Sequence, residues 1–532
     1  MRKKWQVRRV FDGEDIVDLL LNDRGIKEKE KFLHPPKARD LNAADVGIDP
    51  ERLTSAVTRI RKAIQDKESV VVYADYDADG ITAGAAMWET LWKLGARVMP
   101  YIPHRTEEGY GLSEKGIDTV RQQYDPSLII TVDHGITAIE KVAYAKKLGI
   151  DVIVTDHHVA PKKLPDCLIV HTTQVSGSGV SWFVAKQLSD AAPVELAAIG
   201  TIADLVPLTG ANRSVAFHGL AALRKTKRMG LTALFADAGI PKESIETYTI
   251  SHMLAPRLNA MGRLEHALDA LRLLCTTDPM RAKLLAQKLG LTNKERQKLT
   301  EDTVSGARLK IPKQLKKLIF ISDPGYNQGI IGLVAGKLTE EFYRPSVVVS
   351  VGDGFSKASA RSIPGFNIIE AIRKCSDLLV DAGGHPMAAG FTVETKNLSK
   401  LKKKLEDIAE DGISDDALIR RLPIDIEMPL DTVTEKFWKE LQMLAPFGIG
   451  NFEPVFASRN VEVLESRLIG ATKKHLKLRL APGYEAVAFN MADYYFKLKA
   501  GTHIDIAYSI DMNEWNGKRS LQLKIKDLQF PS

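Results

Sequence analysis

The chain has 532 residues, of which 44% are apolar and 27% charged, and a formal net charge of +7. That length exceeds what one hydrophobic core serves, so two to four domains are expected, and the composition is that of an ordinary globular protein rather than a fibrous or disordered one. No apolar run approaches the ~20 residues of a bilayer span, and the basic start MRKKWQVRRV lacks the apolar core of a signal peptide. A cytoplasmic protein without a membrane partner is therefore expected.

In chain order, 69–73 (SVVVY), 127–132 (SLIITV) and 151–155 (DVIVT) read as buried strands of a parallel sheet. Between them, ITAGAAMWETLWKLG and IEKVAYAKKLG have helical spacing and end in glycine, which gives the strand–helix–strand order of an α/β sheet. Cys167, Cys275 and Cys375 are scattered and form no CxxC pair, so neither a disulfide framework nor a structural zinc is expected. From about 278 to 310 the chain reads as a long connecting helix, with Gly290 as a candidate kink. A second α/β lobe follows, with LIFISD and SVVVSV as strands, GIIGLVAGKL as a helix, and DAGGHPMAAGFTVE beyond. The basic runs LKIPKQLKKL and KNLSKLKKKL have the spacing of solvated helix faces. From about 422 onward short strands dominate, which suggests a small β-barrel of the OB type. Within it KKHLKLRL could follow a nucleic-acid backbone, although no aromatic ladder is evident in that segment.

The acids sit where the strands end. The first strand runs into Asp75, Asp77 and Asp79, the second into Asp133, and the third into Asp156, His157 and His158. A fourth apolar run, ELAAIGTIADLVPL, leads to Asp204 and is expected to be another strand. Strand ends of a parallel sheet line one crevice, so these residues should converge. Grouped carboxylates need positive charge beside them. Two divalent ions ~3.5–4 Å apart would supply it and suit phosphoryl displacement by water. Carboxylate and imidazole ligands without thiolate fit Mn²⁺, with Mg²⁺ as a substitute. DADG alone is a common turn and a lone DHH a common helix start; the conjunction of four such sites is what points to metal.

These residues carry a family resemblance. YADYDADG, TVDHGI, VTDHH and GTIADLVPL resemble the four motifs of the DHH phosphoesterases. LLLNDRGI, KFLHPP, YIPHRTEEGYGL, APRLNAMGR, LTNKERQ and ARSIPGFNI are similar to the RecJ exonucleases within that group. GGHPMAAGF resembles the DHH-associated domain, and LAPFGIGNFEPVF the entry to the OB domain. The resemblance implies metal ligation by Asp75, Asp77, Asp79, Asp133, His157 and Asp204, with Asp133 bridging. It implies that His158 faces the scissile phosphate and that Asp156 orients the histidines. It also implies a 5′-phosphate pocket of Arg105, Ser359 and Arg361, and a strand path along Arg257, Asn259, Arg263, Gly383, Gly384 and His385.

The chain departs from the family pattern at Ala74, where glycine is usual, at His134, where a small or polar residue is commoner, and at Asn327-Gln328, which replaces a His-Pro pair. The resemblance implies a DHH catalytic domain (46–215) after an N-terminal segment (1–45), then a helical connector (216–310). A DHH-associated α/β domain (311–421) and an OB-fold barrel (422–532) complete it. The implied activity is 5′→3′ hydrolysis of single-stranded DNA in repair and recombination. A single-stranded-DNA-binding protein and a helicase are the implied protein partners. The competing readings are a phosphodiesterase for short oligonucleotides or cyclic dinucleotides, and a non-catalytic nucleic-acid scaffold.

Overall fold

The computed structural model describes residues 3–105, 108–515 and 518–531. The chain forms two compact units, one of residues 7–292 and 424–532, the other of residues 293–423 with the N-terminal residues through Gln6. Lys4–Val10 is an edge strand (β1) that the charged sequence KWQVRRV does not announce. The first sheet then collects Ser69–Ala74 (β2), Arg97–Tyr101 (β3), Leu128–Val132 (β4), Asp151–Asp156 (β5) and Leu168–His171 (β6). All five run parallel in the order β3-β2-β4-β5-β6. Every residue of β4 is buried, as an unbroken β-branched run requires when helices cover both sheet faces. The edge strand β3 tolerates Pro100 because one of its sides has no ladder to satisfy.

Helices Ala78–Lys93 and Ile139–Lys147 form where the apolar spacing places them. The segment before Asp204 differs from expectation: it is a helix, Val194–Ala203, and Asp204 caps its C-terminus. Leu196 through Ile202 are all buried. A helix apolar on every side carries no 3.6-residue stripe and reads like a buried strand. The helix Pro279–Lys310 runs unbroken through Gly290. A Cβ there would lie 2.2 Å from Asp237 Oδ2, so this glycine serves a close approach and not a kink.

In the other unit, Ile319–Asp323 (β7), Ser346–Ser350 (β8), Phe355–Arg361 (β9), Leu379–His385 (β10) and Ala388–Glu394 (β11) form a sheet ordered β10-β11-β9-β8-β7. β7 and β8 are parallel, and the remaining pairs antiparallel. Helix Leu398–Gly412 buries Leu401, Leu405 and Ala409 and turns its lysines outward, as a solvated face should. The other basic run leaves the helix after Lys310, because Pro312 cannot extend it. Lys316 there reaches Glu406 at 2.7 Å.

The C-terminal strands are Arg421–Glu427 (β12), Phe456–Ile469 (β13), His475–Leu480 (β14), Tyr484–Ala488 (β15), Thr502–Trp515 (β16) and Lys518–Gln529 (β17). The path β13-β14-β15-β17-β16 closes on itself because β13 also pairs with β16, giving the five-stranded OB barrel. Arg213, on the helix Gly210–Arg224, is only 1% exposed and joins this barrel's entry to the first domain. Its guanidinium donates to the carbonyls of Phe32 at 2.7 Å, Leu444 at 3.0 Å and Ala445 at 2.7 Å, and lies 3.8 Å from the Phe32 ring centre. Burial, helped by nearby Arg24, pushes its pKa down to about 10. Among the described residues no helix is long and apolar enough to cross a membrane.

Candidate metal centre

The chain leaves β2 through Asp75 and enters the helix Ala78–Lys93 with Asp77 as its N-cap. One Asp77 oxygen accepts from the backbone N–H of Asp79 and of Gly80, each at 3.0 Å, the usual way an aspartate satisfies a helix start. Gly80 is needed for packing, since a Cβ would sit 2.6 Å from that of Asp75. Asp79 is 2% exposed and accepts from Gly177 N–H at 2.7 Å and Ser178 N–H at 3.0 Å. Those donors open the helix Gly177–Leu188, whose dipole favours a carboxylate there. Asp133 follows β4 in the left-handed region, with φ of 67°. The last residue of β5, Asp156, accepts from Ile136 N–H at 2.9 Å, His157 N–H at 2.7 Å and His158 Nδ1 at 2.7 Å.

These elements bring the side chains together. His157 Nε2 lies 3.2 Å from Asp133, 3.8 Å from Asp204 and 4.0 Å from Asp79. Three overlapping groups, Asp75/Asp77/Asp133, Asp79/His157/Asp204 and Asp133/His157/His158, each offer ligand atoms within 4.8 Å of one another. Asp133 is 2% exposed, and its Oδ1 is buried with no hydrogen-bond partner. Burial first, and then the neighbouring aspartates, raise the pKa of Asp75, Asp77 and Asp133. The same causes carry Asp204 to about 8. Burial pulls His157 down. An orphaned carboxylate oxygen among mutually repelling acids and a neutral imidazole is a donor set that fits divalent cations.

His158 differs from His157. Burial would lower its pKa, but the hydrogen bond and charge of Asp156 outweigh that and raise it to about 9. Asp156 is itself held well below the usual carboxylate range, because His158 and the backbone donors overcome its burial. Tyr110, which the sequence alone does not single out, places its hydroxyl 3.3 Å from His158 Nε2. It also meets Tyr76 edge-on at 6.1 Å between ring centres, and Arg105 stacks on the other partner of that pair, 5.1 Å from the Tyr76 ring. Thr106 and Glu107, from the same motif as Arg105, lie outside the described residues.

The remaining candidates divide. Asn259 accepts from Ala78 N–H at 2.7 Å, beside the acidic turn. Gly262 lets its helix press against Tyr76, where a Cβ would be 2.4 Å from the Tyr76 carbonyl, and the charge of neighbouring Arg263 acts on Tyr76. Arg257 is not brought to the acids; it donates to Met253 O at 2.8 Å and lies 3.9 Å from Asp237. Ser359, Arg361, Gly383, Gly384 and His385 lie in the other unit, on β9 and β10. There Ser359 pairs with Gly390, which pairs with Gly383, and Arg361 pairs with Ala388, which pairs with His385. Burial lowers the Arg361 pKa, and among the described residues its guanidinium reaches only Ser359 Oγ at 3.2 Å and the Ala360 carbonyl at 2.8 Å. Gly332, at the start of helix Ile331–Phe342, keeps that end of the sheet clear: a Cβ would be 3.0 Å from Ser359 Oγ. Asn327, where the family pattern has histidine, accepts from Gly329 N–H at 2.7 Å and so shapes the turn before that helix.

Known proteins are similar to this chain along most of its length. Residues 69–208 match the N-terminal domain of the DHH family, 315–411 the DHHA1 domain, and 424–527 the RecJ OB domain. The single-stranded-DNA-specific exonuclease RecJ of Bacillus subtilis is 38% identical over 96% of this chain and 67% of its own length. That of Thermus thermophilus is 33% identical over 96% of this chain and 74% of its own. A crystal structure of Thermus thermophilus RecJ in complex with Mn²⁺ superposes with a TM-score of 0.85 at 29% identity, covering 99% of this chain and 80% of the other.

Proposed function

The chain belongs to the RecJ family, and on that premise we propose that it is a metal-dependent exonuclease that degrades single-stranded DNA from the 5′ end. The observation that carries the reading is the meeting of Asp75, Asp77, Asp79, Asp133, Asp204 and His157 around buried, unpartnered carboxylate oxygen. These six residues would hold two Mn²⁺ ions, with Mg²⁺ as the substitute. When bound, the cations supply Lewis acidity for phosphodiester hydrolysis.

The protein's own groups do the positioning. Gly177 and Ser178 N–H groups fix Asp79, and the helix start fixes Asp77. Asp156 aims His158, which carries its second proton at neutral pH and presents positive charge toward a phosphate oxygen. Tyr110 limits rotation of that ring by its contact with Nε2. Arg361 and Ser359 take the terminal 5′ phosphate, since a guanidinium fork with no carboxylate partner among the described residues suits that dianion. Residues 46–215 carry the chemistry, 311–421 bind the 5′ phosphate, and 422–532 bind single strand. This activity fits DNA repair and recombination in the cytoplasm, with a helicase to expose the strand and a single-stranded-DNA-binding protein to present it.

The test is purified protein with Mn²⁺ and 5′-labelled or 3′-labelled single strands beside a duplex. Release of label first from the 5′ end of the single strand, blocked by EDTA, supports the reading. Activity confined to very short oligonucleotides points instead to a small-substrate phosphodiesterase, and binding without cleavage to a scaffold.

A further inference from the structure

The barrel carries apolar surface that its own core does not use. Phe496 is 82% exposed and Phe489 53%, far above what phenylalanine commonly shows. Both come from the connection between β15 and β16, Phe489 just after Ala488 and Phe496 within the short helical turn Ala492–Lys497. That connection is tied to the start of β14. Asn490 N–H donates to His475 Nδ1 at 3.0 Å, and Ala492 N–H to the Lys474 carbonyl at 3.3 Å. The His475 ring meets Phe489 edge-on, 5.3 Å between centres. Loop 470–474 and connection 489–499 therefore form one surface.

Its charge is one-sided. Residues 470–475 and 489–499 hold Lys473, Lys474, Lys497 and Lys499 against the single acid Asp493. Among the described residues none of those four lysines is paired with a carboxylate. Lys477, two positions along β14 from His475, is by contrast taken up by Glu485 at 2.6 Å. Exposed ring faces among free ammonium groups suit an unpaired nucleic-acid strand, whose bases stack on the rings while its phosphates meet the lysines. A duplex offers no free base faces, and an apolar protein partner leaves the lysines without a counterpart.

We propose that Phe489 and Phe496 are a base-stacking platform flanked by Lys473, Lys474, Lys497 and Lys499, and that the barrel holds the single strand at this end. The inference rests on the exonuclease reading above and names the groups that grip the strand away from the metal centre. The aromatic residues missing from the basic strand itself are supplied by the connection that follows β15.

The test measures binding of a fluorescent single strand of roughly 30 nucleotides, longer than the ~4–16 that one OB fold covers. It uses the full chain in EDTA across a salt series. Phe489→Ala/Phe496→Ala should weaken binding about tenfold or more with an unchanged salt slope, and Phe489→Tyr/Phe496→Tyr should restore it. On an abasic strand the alanine variant should bind within about twofold of wild type, because no base is left to stack. Lys473→Gln/Lys474→Gln should flatten the slope of log K against log salt by about 1.4, at ~0.7 per phosphate contact. Wild-type affinity in the alanine variant overturns the platform, as does equal weakening on intact and abasic strands. A change in sedimentation without a change in affinity assigns the surface to self-association and overturns it too. Wild-type protein that degrades no single strand in Mn²⁺ defeats the exonuclease reading instead; normal degradation with unaltered variant binding defeats the platform alone.

Discussion

His157 Nε2 stands 3.2 Å from Asp133 Oδ1, a buried oxygen that receives no hydrogen bond. Asp133→Asn should therefore separate stability from activity. The metal-free variant should melt a few degrees above metal-free wild type, because it loses a buried repelling charge; ~1 kcal/mol moves a midpoint by roughly 2–4 °C in larger domains. The shift to higher temperature on adding Mn²⁺ should vanish, and hydrolysis should fall to background. Thermal melts in EDTA and in Mn²⁺ check this. A variant no more stable than wild type in EDTA would mean that the protein satisfies Asp133 by itself.

The raised carboxyl pKa values fix the sign of a pH effect on the metal-free protein. Asp204 titrates near 8 when folded, against ~3.9 when unfolded. The folded state thus keeps a proton that the unfolded state gives up, so stability declines as pH rises from about 4 to about 8. Asp75, Asp77 and Asp133 shift in the same direction. Melting in EDTA should occur at higher temperature at pH 6 than at pH 8, and saturating Mn²⁺ should flatten the difference. Equal melting at both values in EDTA refutes the linkage.

Gly177→Ala alters the centre without replacing any of the proposed ligands. The added Cβ would fall 2.1 Å from Asp133 Oδ1, while the Gly177 N–H holds Asp79. Displacing a reacting group by ~1 Å costs about a hundredfold in rate, and disturbed orientation weakens metal binding by about 10–100-fold. Activity titrated with Mn²⁺ should show both a lower plateau and a higher half-saturating concentration. An unchanged titration would show that the helix start can move aside.

Arg361 sets the expected end preference. Wild type should favour a 5′-phosphorylated strand over a 5′-hydroxyl one by about 10–100-fold in kcat/KM, the worth of ~1.5–3 kcal/mol in charged hydrogen bonds. Arg361→Ala should erase most of that ratio, and Arg361→Lys should keep part of it, having charge without the fork. A ratio that survives in Arg361→Ala would move the phosphate site elsewhere.

The parallel sheet was legible because SVVVY, SLIITV and DVIVT are uninterrupted β-branched runs, and a strand buried on both faces leaves that mark. The acidic cluster was legible for a related reason: Asp75, Asp133 and Asp156 stand at the ends of such runs. Asp204 joins the cluster from the end of a helix and not of a strand, since an all-round apolar helix and a buried strand look alike over ten residues. Tyr110 and Gly177 left little signal. A tyrosine in a loop acquires meaning only once His158 is beside it, and the glycine before an apolar helix shows its purpose only when Asp133 fills the space of its missing side chain. The serine-glycine start SGSG was the one available hint, as a helix N-cap. Arg213 carried none, because its acceptors are backbone carbonyls, which every residue has.

The buried Arg213 also bears on how the chain is made. Its acceptors among Met443, Leu444, Ala445 and Pro446 follow it by 230 to 233 positions. At ~5–20 residues per second, a ribosome takes roughly 10–50 s to cover that stretch. For all that interval the guanidinium has emerged while most of the oxygens that will solvate it do not yet exist. The helix bearing it cannot close over a bare cation without a large desolvation cost, so the earlier domain stays open at that surface, exposed to water or a chaperone, until the last sixth of the protein begins to appear.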